Sequence, residues 1–476
     1  MSEAALAPPR KGEEIDVRLE ELDAKGRAVG YAGPHRVRVL NAVPGQRVRA
    51  RAGGRRRGVT LAVAVQVLDP GPDSVPARCP HVASCGGCSF QELRYARQLE
   101  ELARLLRRAL APLGTELPIA PVAGCADPFA YRNKMDFTFS SRRWIEPGEP
   151  ENAPRDFAVG LHVAGRHDRV LDIERCAIAF AGADAILATV RRAARARNLV
   201  PWDVRAHTGL LRHLVLRRGH ATGEVLAQLV TSEEAAASVV PLVREVLAAH
   251  PEITTFVQSV SSGVALVAGG REIVHHGPGW IHEEVAGRRF RVSAGSFFQT
   301  NTAQAERLVA VVRERLALTG REVLFDLYCG GGLLTLTAGA AAREAWGFEL
   351  APAAIEDARR NSVLNGIASA RWVSGDLRHQ LAPAALAHRG APAPDVCIAD
   401  PPRAGMHAAV VAAIARLAPR RIVYVSCHAP SAARDVALLL PLGWRLLAVE
   451  PIDLFPHTPH LECVLTLERP PGAAGG

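Results

Sequence analysis

Apolar and polar residues alternate with different periods along the chain, and the change of period divides it into three regions. In residues 11–69, short runs with an apolar residue at every second position are separated by glycine and proline. A period of two is typical of strands with one buried face, so this region predicts a small β-barrel. Four prolines between residues 70 and 80 then predict a stiff linker.

The middle region begins with a helical period. From Phe90 to Pro112, leucine and alanine recur at steps of three or four while arginine and glutamate fill the other positions, which predicts an amphipathic helix. Residues 120–295 then mix strand-like runs such as HLVLRR with alanine-rich helical stretches. We therefore expect a central α+β domain over residues 71–295, after a barrel domain at 11–70.

In residues 296–470, apolar strand-like runs alternate with helical segments. The runs are VLFDL, AWGFEL, ARWVSGDL, DVCIADPP, RIVYVSC and ECVLTLER. Such alternation favours a parallel sheet covered by helices on both faces. The expected fold class of this third domain is therefore α/β, with a doubly wound, Rossmann-like sheet.

Composition indicates a folded protein of a reducing compartment. Apolar residues make up 48% and charged residues 22% of the chain, as in globular proteins. The first residues lack an apolar signal core and no run of about 18 apolar residues occurs, so we expect a cytoplasmic protein without a membrane partner. We also expect a monomer. The nine cysteines are then expected to bind metal, to act in catalysis or to lie in the core rather than to form disulfides.

The charge of the chain favours a polyanionic partner. The formal net charge is +9, and six arginines crowd into the segment RVRARAGGRRRG at residues 47–58. Because arginine gains free energy by displacing counterions from a phosphate backbone, a nucleic acid is the expected partner. A merely solvated basic hairpin and an arginine-rich genome are the alternatives. Alternation predicts that Arg47, Arg49 and Arg51 share one face of a strand.

A group of closely spaced cysteines indicates a metal site. Cys79, Cys85 and Cys88 follow the spacing C-x5-C-x2-C, with two glycines between the last two. The glycines let the backbone bend so that thiolates converge and amide N–H groups point at sulfur. A fourth thiolate, from Cys125 or Cys176, would complete either an iron–sulfur cubane or a tetrahedral zinc site. Cys176 is preferred because it directly follows a strand-like run, whereas the spacing does not choose between the metals.

Polar residues end successive predicted strands of the third domain. Glycines 330–332 follow the first strand and allow a ligand to approach the backbone closely, although the sequence does not match the dinucleotide pattern G-x-G-x-x-G. Glu349 ends the next strand, where a carboxylate would accept hydrogen bonds from ribose hydroxyls. Asp376 ends the third, near the expected adenine edge, and Asp400 ends the fourth, where a substrate base would enter. Together these positions predict a pocket for S-adenosylmethionine.

A cysteine follows the fifth strand of the same series. Cys427 opens onto the same edge of the sheet, so we interpret it as a nucleophilic thiolate, whereas Cys397 and Cys463 lie inside apolar runs and are expected in the core. The next residues, APSAARD, predict the start of a helix. Three residues that could carry a proton stand just before the last predicted strand, and they are His457, His460 and Glu462. A carboxylate there could act as the base.

The motifs of the chain occur in an order known from one family. Across about residues 11–470 the chain carries, in succession, CPHVASCGGCSFQELRYARQL, YRNKMDF, VLDIERC, SFFQTN, LYCGGG, ADPPRAG, YVSC and DLFPHTPHLE. In this order it resembles the RNA (uracil-5-)-methyltransferases that modify tRNA or 23S ribosomal RNA. The resemblance implies an RNA-binding TRAM domain built as an OB-like barrel, a central domain with a 4Fe-4S cluster, and a Rossmann-like domain that uses S-adenosylmethionine to form 5-methyluridine.

The same resemblance implies roles for individual residues. It implies a cluster held by Cys79, Cys85, Cys88 and Cys176. It implies a pocket for cofactor and base lined by Gln299, Tyr328, Glu349, Asp376 and Asp400. Cys427 would attack C6 of uracil, and Glu462 would remove the C5 proton. This chain has His428-Ala429 where the family usually has Asn-Pro, and Leu333 where a polar residue is common; we therefore hypothesise that His428 helps to ionise Cys427.

Three other functions compete with this one. An RNA cytosine-5 methyltransferase would have a similar fold, but that class carries a second cysteine beside its Asp-Pro element, and ADPPRAG contains none. A non-catalytic TRAM-type RNA-binding protein is disfavoured because Cys427 and Glu462 are both present. An iron–sulfur redox protein is disfavoured because no flavin or second-cluster motif accompanies the cysteines.

Overall fold

The computed structural model of the chain describes residues 7–114, 116–263 and 270–470. Its first unit is a closed barrel of five strands, which confirms the predicted barrel. The strands are β1 (Glu14–Leu22), β2 (Ala28–Ala32), β3 (His35–Leu40), β4 (Arg47–Arg56) and β5 (Val59–Asp69). Around the barrel they follow the order β1-β2-β3-β5-β4, in which β3 and β5 are parallel and the other neighbours antiparallel.

The arginines of β4 lie on the outer face of the barrel, as their alternation predicts. Val48 and Ala50 between them are buried, while Arg47, Arg49 and Arg51 reach solvent. Two of the three arginines are paired with acidic side chains of β1. Arg49 meets Asp16 at 2.9 Å and Arg51 meets Glu14 at 3.0 Å. These pairs reduce the positive charge that this face presents to a polyanion.

The central unit combines one helix, a second sheet and two covering helices. Its elements are α1 (Tyr95–Leu110), β6 (Lys134–Ser140), β7 (Arg143–Trp144), β8 (Ala158–Gly160), β9 (Val170–Leu171), α2 (Ala183–Ala196), β10 (Leu211–Arg218), β11 (Val225–Thr231), α3 (Ala236–Ala249), β12 (Ile253–Val260) and β13 (Arg271–His276). Six strands form one sheet in the order β13-β12-β11-β10-β6-β8, and β7 pairs with β9. Helices α2 and α3 pack on one face of this sheet, in a core shared by Phe137, Ile186 and Leu242.

Helix α1 begins later than the apolar pattern predicts, at Tyr95 rather than Phe90. Phe90 and Leu93 pack with Leu22 of the barrel, in a small core of their own. Arg94, directly before the helix, has an extended backbone with ψ of 135°, and its N–H donates to the carbonyl oxygen of Asp73 at 2.8 Å rather than to that of Phe90. The apolar face of α1 then joins the core of the third unit through Leu102, Leu106 and Leu110. The helix therefore links the barrel side of the molecule to the third unit.

A hairpin and a helix lead into the third unit, whose sheet has seven strands. The elements are β14 (Trp280–Val285), β15 (Arg288–Ser293), α4 (Thr302–Leu316), β16 (Val323–Leu327), α5 (Leu333–Leu336), β17 (Glu344–Glu349), α6 (Pro352–Leu364), β18 (Ala370–Ser374), α7 (Leu377–Gln380), α8 (Pro383–His388), β19 (Val396–Ala399), α9 (Ala408–Leu417), β20 (Arg421–Ser426), α10 (Ala429–Leu439), β21 (Arg445–Ile452) and β22 (Glu462–Glu468). The sheet order is β18-β17-β16-β19-β20-β22-β21, and two hydrophobic cores lie on its two faces. The predicted α/β class is confirmed.

The sheet is not parallel throughout, which differs from the prediction. Its first five strands are parallel, but β22 inserts antiparallel between β20 and β21. The segment 453–461 between β21 and β22 is too short for a helical crossover, so the two strands form a hairpin. The insertion brings the first residue of β22, Glu462, to the carboxyl end of β20.

Candidate active site

A cavity of about 1230 Å³ opens at the carboxyl ends of the parallel strands. Among its lining residues are six of the predicted ones: Gln299, Tyr328, Glu349, Asp400, Cys427 and Glu462. Each stands at or just beyond the end of a strand, except Gln299, which precedes α4, and Glu462, which begins the antiparallel β22. A sheet edge of this kind is where α/β folds bind their ligands.

Asp376 is not among the residues that line the cavity. Its carboxylate accepts a hydrogen bond from the backbone N–H of Arg378 at 2.9 Å, which caps α7, and it pairs with the Arg378 guanidinium at 2.5 Å. The Arg378 side chain holds the pKa of Asp376 low, at about 2. The assignment of Asp376 to the cofactor therefore stays a prediction.

Three carboxyl groups, two of them buried and that of Asp400 half-buried, lie close together in the lining of the cavity. Burial raises the pKa of Asp326 to about 7, although Thr335 donates a hydrogen bond to it at 2.5 Å. Burial and the neighbouring Asp326 raise the pKa of Asp400 to about 7, and burial and Asp400 raise the pKa of Glu462 well above its usual range. Among the described residues, Asp326 Oδ1 and Glu462 Oε1 have no hydrogen-bond partner. Such a site favours a cationic ligand or a proton.

Cys427 lies beside these carboxyl groups, between the end of β20 and the start of α10. Burial, together with the nearby Glu462 and Asp400, raises the pKa of its thiol to about 11. The positive charge of Arg403 acts in the opposite direction. Arg403 also lies 3.3 Å, through Nη2, from Nδ1 of His460. The sulfur therefore ionises with difficulty in the free protein, and Arg403 is the cation that assists it.

His428 is turned toward a hydroxyl group. Its Nδ1 lies 2.6 Å from Oγ of Ser431, and that hydroxyl donates to the carbonyl oxygen of Arg403 at 2.7 Å. Burial and the nearby arginines lower the pKa of His428. The ring is therefore neutral near pH 7 and helps to order the start of α10, which begins at Ala429 as predicted.

The cofactor end of the cavity is shaped by a tight turn after β16. Tyr328, Gly330 and Gly332 all have left-handed backbone angles, with φ of 67°, 53° and 85°. A Cβ atom on Gly332 would lie 2.6 Å from the indole of Trp372, so only glycine fits there. The N–H of Gly330 donates to Glu349 Oε2 at 3.2 Å. The turn thus positions the carboxylate that the sequence assigns to the ribose.

The predicted metal ligands lie together in a second site. Burial is the main reason why the pKa of the Cys85 thiol is raised to about 12. The neighbouring Cys88, Cys79 and Cys176 are close enough to contribute to this rise. The N–H of Gly87 donates to the sulfur of Cys85 at 3.3 Å, as expected from the paired glycines. The side-chain amide of Gln91 donates to the sulfur of Cys88 at 3.2 Å.

The alternative fourth ligand lies elsewhere. The thiol of Cys125 lies 3.0 Å from the carbonyl oxygen of Asp127, and its pKa is not influenced by the other three cysteines. Cys176 is therefore the one brought to the group. Within the described ranges, no set of three or more His, Cys, Asp or Glu side chains is arranged to hold a single metal ion.

Comparison with known proteins identifies the family of this chain. The family model of tRNA (uracil-5-)-methyltransferases matches residues 280–470. A relative from Porphyromonas gingivalis, named as an uncharacterized RNA methyltransferase, is 36% identical over 95% of this chain and 99% of its own length. A second, from Chlorobaculum tepidum and named likewise, is 34% identical over 97% of each chain. This chain belongs to the RNA (uracil-5-)-methyltransferase family.

A solved structure agrees with this membership. The tRNA (uracil-54, C5)-methyltransferase of Pyrococcus abyssi, in complex with S-adenosyl-L-homocysteine, is 26% identical and superposes with a TM-score of 0.74. The match covers 95% of this chain and all of the other. The chain is thus a methyltransferase that acts on RNA and uses S-adenosylmethionine. Within its described residues, no helix combines the length and apolar character needed to cross a bilayer.

Sequence reasoning missed two residues of the methyltransferase cavity. Arg403 lies inside the quoted motif ADPPRAG, but nothing in the motif tells which side chain faces the sulfur. Asp326 is the penultimate residue of β16, four residues before Gly330; the sequence shows an acidic residue near the end of this strand but gives it no role. Conversely, Cys397 and Cys463 are 1% and 0% exposed, which confirms that they belong to the core.

Proposed function

We propose that this methyltransferase forms 5-methyluridine in tRNA or 23S ribosomal RNA, with Cys427 as the nucleophile and Glu462 as the base. The main support for the proposal is that a thiol and a buried carboxyl group line the same cavity, at the sheet edge where the glycine turn also lies. The tRNA specificity in the name of the matching family favours tRNA.

The proposed chemistry follows from the weakness of C5 of uracil as a nucleophile. The sulfur of Cys427 adds to C6, which makes C5 electron-rich. S-adenosylmethionine supplies the methyl group that C5 then takes. Glu462 removes the proton from C5, the C5–C6 double bond re-forms, and the C6–S bond breaks to return the thiolate. The ionised form of Glu462 is a strong base because its pKa is raised, and a cationic cofactor bound beside it would favour that ionised form.

The cavity provides groups for both reactants. The carboxylate of Glu349, held by the N–H of Gly330, suits ribose hydroxyls, and the carboxyl groups of Asp326 and Asp400 suit a cationic cofactor. Asp400 and Gln299 are the proposed contacts to the uracil. The base must leave its stack to reach this depth, as in other enzymes that modify bases.

We also propose that Cys79, Cys85, Cys88 and Cys176 hold a 4Fe-4S cluster. Four thiols together, with amide donors aimed at two of the sulfurs, fit such a cluster. In a cubane each thiolate binds its own iron, so the sulfurs need not converge on one ion, whereas tetrahedral zinc requires them to. When bound, the cluster would tie the segment around Cys85 to the strand region around Cys176.

The target RNA is tested by gene deletion and reconstitution. Bulk tRNA and 23S rRNA from cells without the gene are digested and their 5-methyluridine content is measured by mass spectrometry. We expect one of the two RNAs to lose the modification and to regain it on incubation with the purified enzyme and S-adenosylmethionine. If neither RNA changes, the proposed activity is wrong.

A further inference from the structure

The loop that leads to Glu462 is anchored from outside the catalytic sheet. We call residues 453–461, between β21 and β22, the base loop. Near its start, the carboxylate of Asp453 accepts a hydrogen bond from the hydroxyl of Tyr95 at 2.7 Å. Further along, the carbonyl oxygen of Pro456 accepts one from the hydroxyl of Tyr131 at 3.3 Å. The path of this loop is therefore set partly by α1 and the central unit.

His457, in the base loop, is buried and has an unusual backbone conformation. Its backbone is left-handed, with φ of 68°, and only 2% of its surface is exposed. Its carbonyl oxygen accepts a hydrogen bond from the N–H of Ser89 at 2.8 Å, and its ring lies 4.5 Å from the ring of Phe129. A residue with this backbone angle persists only where its surroundings hold it in place.

The side chain of Gln98, on α1, contacts both the backbone and the ring of His457. The oxygen of the Gln98 amide accepts from the backbone N–H of His457 at 3.2 Å, and its nitrogen lies 3.1 Å from Nδ1 of the ring. The same nitrogen donates to the carbonyl oxygens of Phe90 at 3.2 Å and Leu93 at 2.7 Å. Gln98 is 1% exposed. A single buried amide thus joins the segment after Cys88 to the base loop.

We propose that Gln98 and His457 are positioning residues for the general base: they hold the base loop so that Glu462 meets the C5 proton of the covalent intermediate. The inference rests on the proposed role of Glu462. Leu461 and Glu462 follow His457 closely, so a shift of the loop reaches the carboxylate directly. An error of about 1 Å in such a group costs roughly 100-fold in rate.

The inference predicts a change in one step of the reaction. Addition of Cys427 to C6 and methyl transfer to C5 do not use Glu462, whereas release of the product from the sulfur requires it. A mispositioned base therefore leaves methylated RNA covalently attached to Cys427. General weakening of the fold would instead lower the amount of active enzyme and reduce both steps by the same factor.

The test follows one turnover of Gln98→Leu and His457→Asn. Enzyme in excess is mixed with unmodified tRNA or 23S rRNA transcripts and methyl-labelled S-adenosylmethionine. Methyl transfer and the labelled protein–RNA complex that survives denaturing gels are followed over time. We expect methyl transfer within about twofold of the parent enzyme, and release of the complex slowed about tenfold or more in Gln98→Leu. His457→Asn, which keeps a residue that tolerates the left-handed backbone, should show the same change to a smaller extent.

Tyr95→Phe is the matched control. It removes part-buried hydrogen bonds of the same helix, one to Asp453 of the same loop and one from the N–H of Cys125, but leaves the contacts of His457 in place. We expect it to lower the midpoint of thermal unfolding without changing the ratio of the two rates. If Gln98→Leu changes both rates equally or neither, or if Tyr95→Phe retains the complex as strongly, the inference is wrong.

The proposed function has a separate check. RNA transcribed with 5-fluorouridine has no removable proton at C5, so the parent enzyme should remain attached to it whatever the position of Glu462. If the parent forms no such complex, the proposed nucleophilic mechanism fails. If the parent forms the complex and the variants still release methylated RNA at the parent rate, the inference on Gln98 and His457 fails while the mechanism stands.

Discussion

The molecule contains two sulfur-bearing sites, and their surroundings differ in kind. Burial raises the thiol pKa in both, to about 12 for Cys85 and Cys88 and to about 11 for Cys427. Around the first site the sulfurs accept N–H donors from Gly87 and Gln91. Around Cys427 the carboxyl groups of Glu462 and Asp400 raise the thiol pKa, while the guanidinium of Arg403 and the backbone N–H of Cys427 itself lower it.

This difference matches two uses of sulfur. Fixed N–H donors stabilise thiolates permanently, which suits ligands that stay bound to metal. A thiol beside carboxyl groups ionises only at a cost, but a thiolate of high pKa is the stronger nucleophile, which suits attack on carbon. The comparison can be tested by removing each sulfur and then each neighbour of Cys427.

Removal of the nucleophile should have the largest effect. Cys427→Ala leaves no group that can add to C6, so methylation should fall by at least about 10⁴-fold. The measurement is transfer of labelled methyl groups to RNA, with Cys397→Ala as the control because that buried thiol lies in the core. Comparable activity in Cys427→Ala would remove Cys427 from the mechanism.

Removal of the base should slow release of the product from the sulfur without stopping methyl transfer. Glu462→Gln keeps the volume of the side chain but cannot take the C5 proton, so release from the sulfur should slow by at least about 100-fold while methyl transfer continues. The expected product is a methyl-labelled protein–RNA complex on denaturing gels. Rapid release by this variant would show that another group is the base.

Removal of a cluster ligand should leave Cys427 unaffected. We expect Cys88→Ser, purified without oxygen, to lose bound iron and acid-labile sulfide. The rate at which iodoacetamide alkylates Cys427 in the folded variant should stay within about twofold of the parent, because the charged groups that shift the pKa of Cys427 differ from those around Cys88. The control is Cys125→Ser, which should retain iron. Iron loss in Cys125→Ser but not in Cys88→Ser would contradict the assigned ligand set.

The sequence was informative wherever a local pattern decides the structure. The period of two predicted the barrel, and polar residues at strand ends predicted a cavity that Glu349, Asp400 and Cys427 do line. The order of the strands in the sheet was harder to predict from the sequence, because the insertion of β22 beside β20 depends on pairing between residues distant in sequence. It is this insertion that carries Glu462 to Cys427.

Local sequence patterns also could not predict the direction in which a side chain points. Asp376 occupies a strand end like the others, yet the neighbouring Arg378 engages its carboxylate. Arg403 was visible in its motif, but its effect on Cys427 depends on packing between two loops. Likewise, α1 starts at Tyr95 because the N–H of Arg94 donates to Asp73 instead of continuing the helix, a contact with no periodic signature.

Removal of the assisting cation should have a moderate effect that depends on pH. Below a thiol pKa of about 11, the thiolate fraction of Cys427 rises about tenfold per pH unit, and so should its alkylation rate. Arg403→Gln removes the charge that lowers this pKa, so the profile should move to higher pH and alkylation at pH 8 should fall roughly threefold to tenfold. An unchanged profile would mean that Arg403 does not assist the sulfur.

The smallest effect is expected at His428, the residue that the sequence suggested as an aid to ionisation. Its ring is engaged with Ser431, its pKa is lowered by burial and by Arg403, and it is not among the groups that shift the pKa of Cys427. A neutral ring supplies no charge to a thiolate, so His428→Ala should move the alkylation profile of Cys427 by less than about twofold at any pH. A fall as large as that of Arg403→Gln would restore His428 as an activating group and would place two cations, rather than one, opposite the carboxyl groups that surround the sulfur.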